Sequence, residues 1–209
     1  AEVTQHENIT AIVADVTDET SVRDMYATML AEIGAPDLVI ANAGMAESAP
    51  IGKTSVDLWK RTIDVNLTGT FLTFREGLAV MDKAKPGRLI SIASTAGLKG
   101  YAYVTAYCAA KHGVIGLVEG MAAELASSSV TVNAVCPGFM ETPMLEKSVE
   151  NIVAKTCMST DAARASLAKI NPQNRFIQPD EVANTVMWLC SPHAASITGQ
   201  AISVSGGEV

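Results

Sequence analysis

The sequence predicts an α/β domain, a doubly wound parallel sheet with helices on both faces. Short apolar runs alternate along the chain with longer segments in which apolar residues recur at helical spacing. Strands that are apolar at nearly every position are typical of parallel sheets covered on both faces. The chain has 209 residues, 48% of them hydrophobic, and a mean hydropathy of +0.24, which suffices for one sizeable core. No repeat, linker or low-complexity segment divides it, so we expect a single domain over residues 1–209.

The predicted elements follow one another as strand and helix. Apolar runs predict strands at 9–14, 37–41, 88–93, 130–135 and 201–204. Helical periodicity predicts helices at 17–34, at 56–74 with a further stretch to 81, at 107–125 and at 180–189, with mixed helical stretches in 140–173. Acidic residues open the first helix and Gly34 ends it, while Pro179 stands at the start of the last one.

The chain is acidic. Its net charge is -7 and its pI about 4.9, which argues against nucleic acid or an anionic membrane as the main partner. No apolar run reaches the roughly 18 residues of a membrane span, and residues 1–10 do not show the basic-then-apolar pattern of a signal peptide. The four cysteines and three histidines are scattered, which predicts reduced thiols, no metal site and a cytoplasmic protein.

A tyrosine and a lysine four positions apart, Tyr107 and Lys111, lie in a run of small residues. Positions i and i+4 share one face of a helix, so both side chains are expected to point the same way. A nearby cation favours the phenolate, which predicts a lowered pKa for Tyr107 and a role in proton transfer. A surface tyrosine and lysine on an amphipathic helix would show the same spacing.

Polar and glycine residues follow the predicted strands at one edge of the sheet. They are Asp15, Asn42-Ala43-Gly44, Ser94, Pro137-Gly138 and Gly206-Gly207. Ligands of doubly wound sheets bind beyond the carboxyl ends of the strands. Each residue alone could be a helix cap, a turn or a loop residue, but their convergence predicts a binding site at this edge.

Taken in order, these motifs make the chain resemble a short-chain dehydrogenase/reductase of the compact, single-domain type, which implies a Rossmann-like sheet. The matching pieces are Asn42-Ala43-Gly44, Asn66 in Asp64-Val65-Asn66-Leu67-Thr68-Gly69, Ser94, Tyr107 with Lys111, and Pro137-Gly138 followed by Thr142. Asn66 precedes Ser94 by 28 positions and Ser94 precedes Tyr107 by 13, as in the family pattern. The resemblance covers residues 9–207.

The resemblance implies four catalytic residues. Tyr107 would be the general acid or base, and Ser94 would hydrogen-bond the substrate oxygen and polarise the carbonyl. Lys111 would lower the pKa of Tyr107 and hold the ribose hydroxyl groups of a nicotinamide cofactor. Asn66 would hold a water that links Lys111 to solvent, although it could instead be an ordinary buried helix asparagine.

The resemblance also implies NAD(H) or NADP(H) as the cofactor, and on resemblance alone it leans to NAD(H). The expected contacts are Asp15 and Val16 with the adenine, Asn42, Ala43 and Gly44 with the adenosine ribose, and Pro137, Gly138 and Thr142 with the nicotinamide amide. Tyr107 and Lys111 complete this set. The implied partners are a small-molecule substrate and further copies of the chain, because family members are usually homotetramers built from the helices at 56–74 and 107–125 and the last strand.

One part of the family pattern is not found in the sequence. The family opens with a strand, a glycine-rich turn and a helix that hold the pyrophosphate, and Gly97-Leu98-Lys99-Gly100 comes too late to be that turn. A strand-helix-strand unit of roughly 40 residues would belong ahead of residue 1, and in the sheet it would lie between the strands at 9–14 and 37–41. Unpaired strand edges there are costly, so we expect the folded protein to contain more than this chain; a defective product is the alternative.

The implied reaction is the reversible oxidation of a secondary alcohol to a ketone. The segment 197–207 resembles 3-oxoacyl and 3-hydroxyacyl thioester reductases or dehydrogenases, which favours a 3-hydroxyacyl or 3-oxoacyl thioester as substrate. The segment 140–172 lies where the family has a substrate lid. Its apolar residues, among them Met140, Met144 and Met158, would form an adaptable lid surface or ordinary core.

Three other functions stay open. A non-catalytic scaffold could keep the fold without binding cofactor, although a scaffold would have no reason to keep all four catalytic residues. A reductase of a sugar, steroid or other small secondary alcohol would carry the same motifs. An epimerase or dehydratase of the same superfamily usually has a larger C-terminal substrate domain, which this sequence does not show.

Overall fold

Four parallel strands, in chain order across the sheet, form the centre of the computed structural model, which describes residues 9–209. They are β1 (Leu38–Ala41), β2 (Gly87–Ile92), β3 (Val130–Pro137) and β4 (Ala201–Val204). In their register Ile40 lies beside Ile90, and Ile90 beside Asn133. Parallel neighbours cannot be joined by a tight turn, so helices cross between successive strands and all strand ends of one kind meet at one edge.

Seven α-helices flank this sheet in the part of the chain that the structure describes. They are α1 (Glu19–Glu32), α2 (Val56–Ile63), α3 (Gly69–Val80), α4 (Thr105–Glu124), α5 (Pro143–Thr156), α6 (Thr160–Ala168) and α7 (Pro179–Cys190). Side-chain caps fix where two of them begin. The Asp18 carboxylate accepts a hydrogen bond from the Thr20 N–H at 3.1 Å, and Ser55 Oγ accepts one from the Leu58 N–H at 3.1 Å.

Apolar side chains are buried against both faces of the sheet. Successive residues of a strand point to opposite faces, so Leu89 packs in the core with α3 and α4 while Ile90 packs in the core with α7. Phe74 of α3, Val114 of α4 and Leu189 of α7 are fully buried in these two layers. Burying one such side chain stabilises the fold by about 1.5–3 kcal/mol relative to an exposed position.

Most of the predicted elements are confirmed. The strands predicted at 37–41, 88–93, 130–135 and 201–204 match β1 to β4, and the helices predicted at 17–34, 107–125 and 180–189 match α1, α4 and α7. The all-parallel sheet with helices on both faces confirms the predicted α/β fold. Within residues 9–209, no helix combines the length and the apolar character needed to cross a bilayer.

The long helix predicted at 56–74 is interrupted in its middle by a segment of different helical geometry. α2 passes into a π-helical segment, Asp64–Thr68, before α3 continues to Val80. A π segment widens the helix by one residue and is often found at functional sites. This segment carries Asn66, which is fully buried. Hydrophobic periodicity does not reveal a break of this kind, because the apolar face continues across it.

The strand predicted at 9–14 is wrong. Residues 9–15 have no regular structure, and Val13 is 99% exposed. A strand requires a hydrogen-bonding neighbour, and among residues 9–209 no strand lies beside this segment. An apolar groove of about 470 Å³ runs instead along β1, where Leu38 and Ile40 are about half exposed, and Ile12 and Val16 also line it. The predicted strand-helix-strand unit would cover this groove, and that unit stays a prediction.

Candidate active site

Lys111 is a buried cation at the carboxyl edge of the sheet. It lies in the second turn of α4, is 3% exposed, and donates a hydrogen bond from Nζ to the carbonyl of Ile92, the last residue of β2, at 2.8 Å. Burial lowers the pKa of Lys111 to about 8. An ammonium group has three N–H donors, and the described residues use one of them, so Lys111 can also bind a ligand.

Tyr107 lies one turn before Lys111 on the same face of α4. Lys111 Nζ is 5.6 Å from the centre of the Tyr107 ring. Burial raises the pKa of Tyr107, while the side chain of Ser94 acts in the opposite direction. The raised pKa corrects the sequence-based expectation of a lowered one. The reason is that loss of hydration is the largest effect on the phenol, and the ammonium of Lys111 is hydrogen-bonded to Ile92 instead.

Ser94 begins the short turn that connects β2 to the loop before α4. Its Oγ accepts a hydrogen bond from the Ala96 N–H at 3.1 Å, which caps the 3₁₀ turn Thr95–Gly97. Gly97 allows this turn to lie directly on α4, because a Cβ at this position would be 2.7 Å from the Lys111 carbonyl oxygen. The turn of Ser94 therefore lies against α4, the helix that carries Tyr107.

Asn66 connects the π segment to the loop after β1. Its Nδ2 donates to the carbonyls of Met45 and Thr62, at 2.9 Å each, and its Oδ1 accepts from the Met45 N–H at 3.2 Å. Gly44 lies between Asn66 and Lys111, because a Cβ on Gly44 would be 3.1 Å from Asn66 Oδ1 and 3.9 Å from Lys111 Nζ. Asn66 therefore holds the loop of the Asn-Ala-Gly motif beside the lysine. The water assigned to Asn66 stays a prediction.

The residues predicted to hold the adenosine half of a cofactor do not all lie in the same place. Val16, Asn42 and Ala43 line the same groove beside β1. Asp15 is exposed, and its carboxylate accepts hydrogen bonds from the Thr17 N–H at 2.9 Å and the Thr17 hydroxyl at 2.7 Å, which lower the pKa of Asp15. Its side chain is thus bound within its own turn.

The residues predicted to hold the nicotinamide amide follow β3. Pro137 is buried at the end of the strand, and the Gly138 N–H donates to the Val204 carbonyl at 3.0 Å, which ties this segment to β4. Thr142 lies just before α5, and its hydroxyl donates to the Met140 carbonyl at 3.2 Å. These residues share the carboxyl edge of the sheet with Ser94, which follows the neighbouring strand.

The donors at this edge fit part of a nicotinamide dinucleotide. The remaining N–H groups of Lys111 suit ribose hydroxyl groups, and the absence of a side chain on Gly44 keeps the space between Lys111 and Asn66 open. Residues 9–209 contain no glycine-rich turn opening a helix at this edge, so they offer donors suited to a ribose but no such turn for the pyrophosphate. In the same residues, no three His, Cys, Asp or Glu side chains are grouped to hold a metal ion.

Two features of the site were not predicted from the sequence. One is the Ile92 carbonyl as the partner of Lys111. The other is Cys136, a fully buried thiol on β3, whose pKa is raised by burial to about 11, with the Ser94 backbone and Lys111 acting to lower it. The position of Cys136 directly before Pro137, at the end of a strand, is the signal that could have found it.

Comparison of the sequence with known proteins finds oxidoreductases. A family model described as enoyl-(acyl carrier protein) reductase matches residues 1–208. The D-beta-hydroxybutyrate dehydrogenase of Rhizobium meliloti is 38% identical over 196 residues, which cover 93% of this chain and 76% of that protein. The 3-oxoacyl-(acyl-carrier-protein) reductase of Vibrio harveyi is 37% identical over 201 residues, which cover 96% of this chain and 78% of that protein.

Solved structures share the fold. Sorbitol-6-phosphate 2-dehydrogenase from Erwinia amylovora has a TM-score of 0.90 and 31% sequence identity, and the match covers 95% of this chain and 78% of that one. A variant of actinorhodin polyketide ketoreductase, solved with NADPH, has a TM-score of 0.87 and 34% identity, with 93% and 76% covered. From the motifs, the geometry and these matches together, we conclude that the chain belongs to the short-chain dehydrogenase/reductase family of NAD(P)-dependent oxidoreductases.

Proposed function

We propose that this protein interconverts a secondary alcohol and a ketone at the carboxyl edge of the sheet, with Tyr107 as the residue that transfers the proton. The observation that carries the proposal is the convergence of Tyr107, Lys111 and Ser94, which come from two elements and meet where the strands end. Asn66 completes the proposed set by holding the loop beside Lys111.

In the reducing direction, Tyr107 is the proton donor. A carbonyl that receives a hydride at its carbon gains negative charge on its oxygen. The Tyr107 hydroxyl gives its proton to that oxygen, so a C–H and an O–H bond form as the carbonyl π bond is lost; in oxidation the phenolate takes the proton back. With its pKa raised above the ordinary value, the phenol of Tyr107 is protonated at neutral pH and can act as the acid in the reduction. When bound, the nicotinamide supplies or accepts the hydride.

Ser94 and Lys111 have supporting roles. The Ser94 hydroxyl donates to the same substrate oxygen and, by its effect on Tyr107, makes the phenol a better acid. Lys111, fixed by Ile92, binds the ribose of NAD(H) or NADP(H) through its other N–H groups. The polyketide ketoreductase structure contains NADPH, which supports NADP(H) as one of the two candidate cofactors.

A 3-hydroxyacyl or 3-oxoacyl thioester is the substrate class that we favour. The Vibrio harveyi relative, named as a 3-oxoacyl-(acyl-carrier-protein) reductase, supports it. The D-beta-hydroxybutyrate dehydrogenase supports a small 3-hydroxy acid, and the sorbitol-6-phosphate 2-dehydrogenase supports a sugar derivative. All three of these substrate classes are secondary alcohols or the corresponding ketones, so the proposed proton transfer is the same for each.

We propose that residues 140–172 form the lid over this substrate. α5 and α6 pack on each other through a separate apolar cluster that includes Leu145 and Val149. Asn151 of α5 donates a hydrogen bond to the Ser48 hydroxyl, which lies in the loop after β1. Since Ser48 follows β1 and α5 follows β3, this contact crosses the strand ends between them, which supports a cover over the site.

The direct test is an assay of the nicotinamide absorbance with a panel of 3-oxoacyl and 3-hydroxyacyl thioesters, 3-hydroxybutyrate and sorbitol 6-phosphate. Fluorescence titration with NADH and NADPH is run in parallel. We expect binding of one dinucleotide and turnover of at least the thioesters. Turnover of only the sugar or the acid would overturn the thioester preference. No binding of either dinucleotide would favour the non-catalytic scaffold.

We also propose that the protein is a homotetramer. The outer faces of α2 and α3 expose Val56, Trp59 and Phe71 by 66%, 40% and 40%. On α4, no atom of the other elements within residues 9–209 lies within 4 Å of the position that a Cβ would take on Gly116 or Gly120, so another helix can approach closely. Apolar side chains beside small residues on neighbouring helices are the kind of surface that helix–helix interfaces bury.

A further inference from the structure

A buried carboxylate lies beside the catalytic turn and has no role in the mechanism above. Glu208 follows β4, and its side chain is 1% exposed. Its Oε1 accepts a hydrogen bond from the Tyr101 hydroxyl and forms an ion pair with Lys99 Nζ, which lies 3.0 Å away. Lys99 Nζ also donates to the backbone carbonyl of Glu208, at 3.4 Å. Its Oε2 has no hydrogen-bond partner among residues 9–209.

Tyr101 connects this carboxylate to the turn that carries Ser94. The Tyr101 oxygen is 2.7 Å from the hydroxyl of Thr95, the residue that follows Ser94. One phenol proton serves one acceptor, so Tyr101 donates to the stronger acceptor, Glu208, and accepts from Thr95. Burial and the hydrogen bond to Glu208 both raise the pKa of Tyr101, which keeps this donor protonated.

The same carboxylate touches the second wall of the site. A Cβ on Gly138 would lie 3.1 Å from Glu208 Oε2, so the carboxylate packs directly against the segment after β3. The neighbouring Phe139 ring meets the Tyr101 ring edge to face, with centroids 6.2 Å apart. Glu208 and Tyr101 therefore lie between the turn of Ser94 and the segment proposed to meet the nicotinamide.

Stability alone does not account for a carboxylate in this position. A buried charge with one unpartnered oxygen is costly, and a buried ion pair is often no better than an apolar side chain of the same volume. Lys99 is 38% exposed, so its attraction to Glu208 is partly screened. What the carboxylate does provide is a fixed acceptor for Tyr101, and through it a fixed position for Thr95.

We propose that Glu208 is a positioning residue for the reaction: through Tyr101 and Thr95 it holds the turn of Ser94 at the orientation that Tyr107 requires. This inference rests on the proposed function of Ser94. On its other side the turn packs against α4 at Gly97, so removal of the Glu208 side chain leaves that packing in place and removes the contact through Tyr101. Displacements of about 1 Å at a reacting group can lower a rate by roughly 100-fold.

The test uses Glu208→Ala, Glu208→Gln, Tyr101→Phe and the double variant with Tyr101→Phe and Glu208→Ala. Glutamine keeps an oxygen that can accept from Tyr101. We expect Glu208→Ala and Tyr101→Phe to lower kcat by roughly 10- to 100-fold with little change in NAD(P)H affinity, and Glu208→Gln to keep most of the kcat. The double variant should be no slower than the slower single variant, because both act through one chain of contacts. Glu32→Gln, which changes an exposed carboxylate at the end of α1, is the matched control and should leave kcat unchanged.

A second readout does not depend on turnover. Amide hydrogen exchange of residues 96–99, whose N–H groups bond within the turn, should speed up in Glu208→Ala and not in Glu208→Gln. Unchanged exchange and unchanged kcat in folded Glu208→Ala would overturn the inference, and so would a Glu208→Gln variant as slow as Glu208→Ala. An inactive wild-type enzyme would instead contradict the proposed function, and the exchange result would still decide the role of Glu208.

Discussion

At the scale of single residues, burial decides the chemistry of the site. Lys111 loses hydration on α4, and its pKa falls to about 8. Tyr107, one turn earlier, also loses hydration, and its pKa rises because the charged form of a phenol is the deprotonated one. The two shifts have opposite signs and the same cause. A neutral phenol and a weakly held ammonium proton, side by side, suit proton transfer to a substrate oxygen.

Replacing Ser94 by alanine should weaken the reaction and move its pH dependence. The Ser94 side chain acts to lower the pKa of Tyr107, so its loss should raise that pKa further. Alcohol oxidation needs the phenolate, and the pH at which it accelerates should therefore move upward, with kcat lower by roughly 10²–10³-fold. Profiles of kcat for oxidation against pH, for wild type and Ser94→Ala, measure both effects. A downward shift would contradict the assignment.

Lys111 should leave a signature in stability. The unfolded lysine binds its proton below about 10.5 and the folded one below about 8, so between these pH values the unfolded state binds more protons. The free energy of unfolding should therefore rise with pH in this window, by at most about 1.4 kcal/mol per pH unit. Groups whose pKa values are raised, such as Cys136, have the opposite effect on the free energy of unfolding. A variant that lacks only Lys111 keeps these groups, so comparing it with the wild type isolates the effect of the lysine.

The measurement is denaturant unfolding of wild type and Lys111→Met between pH 7.5 and 10. The difference between the two unfolding free energies should change in favour of wild type as the pH rises. A difference that is independent of pH would show that Lys111 titrates normally in the folded protein.

The sequence could identify these residues but not their environment. Tyr107 and Lys111 were found from their spacing, and Ser94 from its place after a strand. The choice of Asn66, and the roles of all four residues, came from the resemblance to the family pattern. The structure brings Tyr107 beside Lys111, and it places Asn66 and Lys111 on either side of Gly44. The direction of the Tyr107 pKa was missed, because spacing shows that a cation is near and not how much water is lost. Glu208 was missed for a related reason, since its contacts with Lys99 and Tyr101 join positions more than a hundred residues apart.

At the scale of elements, the site depends on how closely the Ser94 turn packs on α4. A Cβ on Gly97 would be 2.7 Å from the Lys111 carbonyl oxygen, which is a backbone atom and cannot move without shifting the helix. The same contact is what allows one short turn to place Ser94 next to residues of α4. The tight packing of the turn on α4 fixes the position of Ser94, which a longer loop would not do.

Gly97→Ala should therefore displace the turn, destabilise the protein by about 1–3 kcal/mol and lower activity. Gly100→Ala is the matched control, because in the described part of the chain no atom beyond the neighbouring residues lies within 4 Å of a Cβ at that position. Thermal unfolding and kcat of both variants provide the comparison. Equal behaviour of the two variants would contradict the packing of the turn on α4.

The elements also show where sequence patterns fail. Strands β1 to β4 are flanked by neighbours that supply hydrogen bonds, and their apolar runs predicted them within about two residues. The run at 9–14 has the same composition and forms no strand, because β propensity alone does not hold a strand without a partner. The π segment around Asn66 was missed because it is set by tertiary hydrogen bonds to Met45.

At the scale of the whole molecule, two of the exposed apolar surfaces bear on the predicted and proposed contacts of the chain. One is the groove along β1, beside the strand edge of Leu38 and Ile40. The other is the outer face of α2 and α3, with Trp59 and Phe71. The first is the place for the predicted strand-helix-strand unit, and the second is the surface that the proposed tetramer would bury.

Light scattering should give a mass of four chains for the wild type. Phe71→Glu, which puts a charge on the proposed interface, should lower that mass, and Leu30→Glu, a similarly exposed position on α1, should not. A monomer mass for the wild type, or equal masses for both variants, would contradict the proposed interface.

The measurement that tests the central claim most directly is the rate of ketone reduction by wild type and Tyr107→Phe, followed by nicotinamide absorbance with the best thioester of the panel. The variant removes one hydroxyl group and keeps the ring that packs beside Lys111. The account predicts a loss of roughly 10²–10⁴-fold or more in kcat, with unchanged fold and NAD(P)H affinity. A folded Tyr107→Phe protein that turns over at the wild-type rate would contradict it.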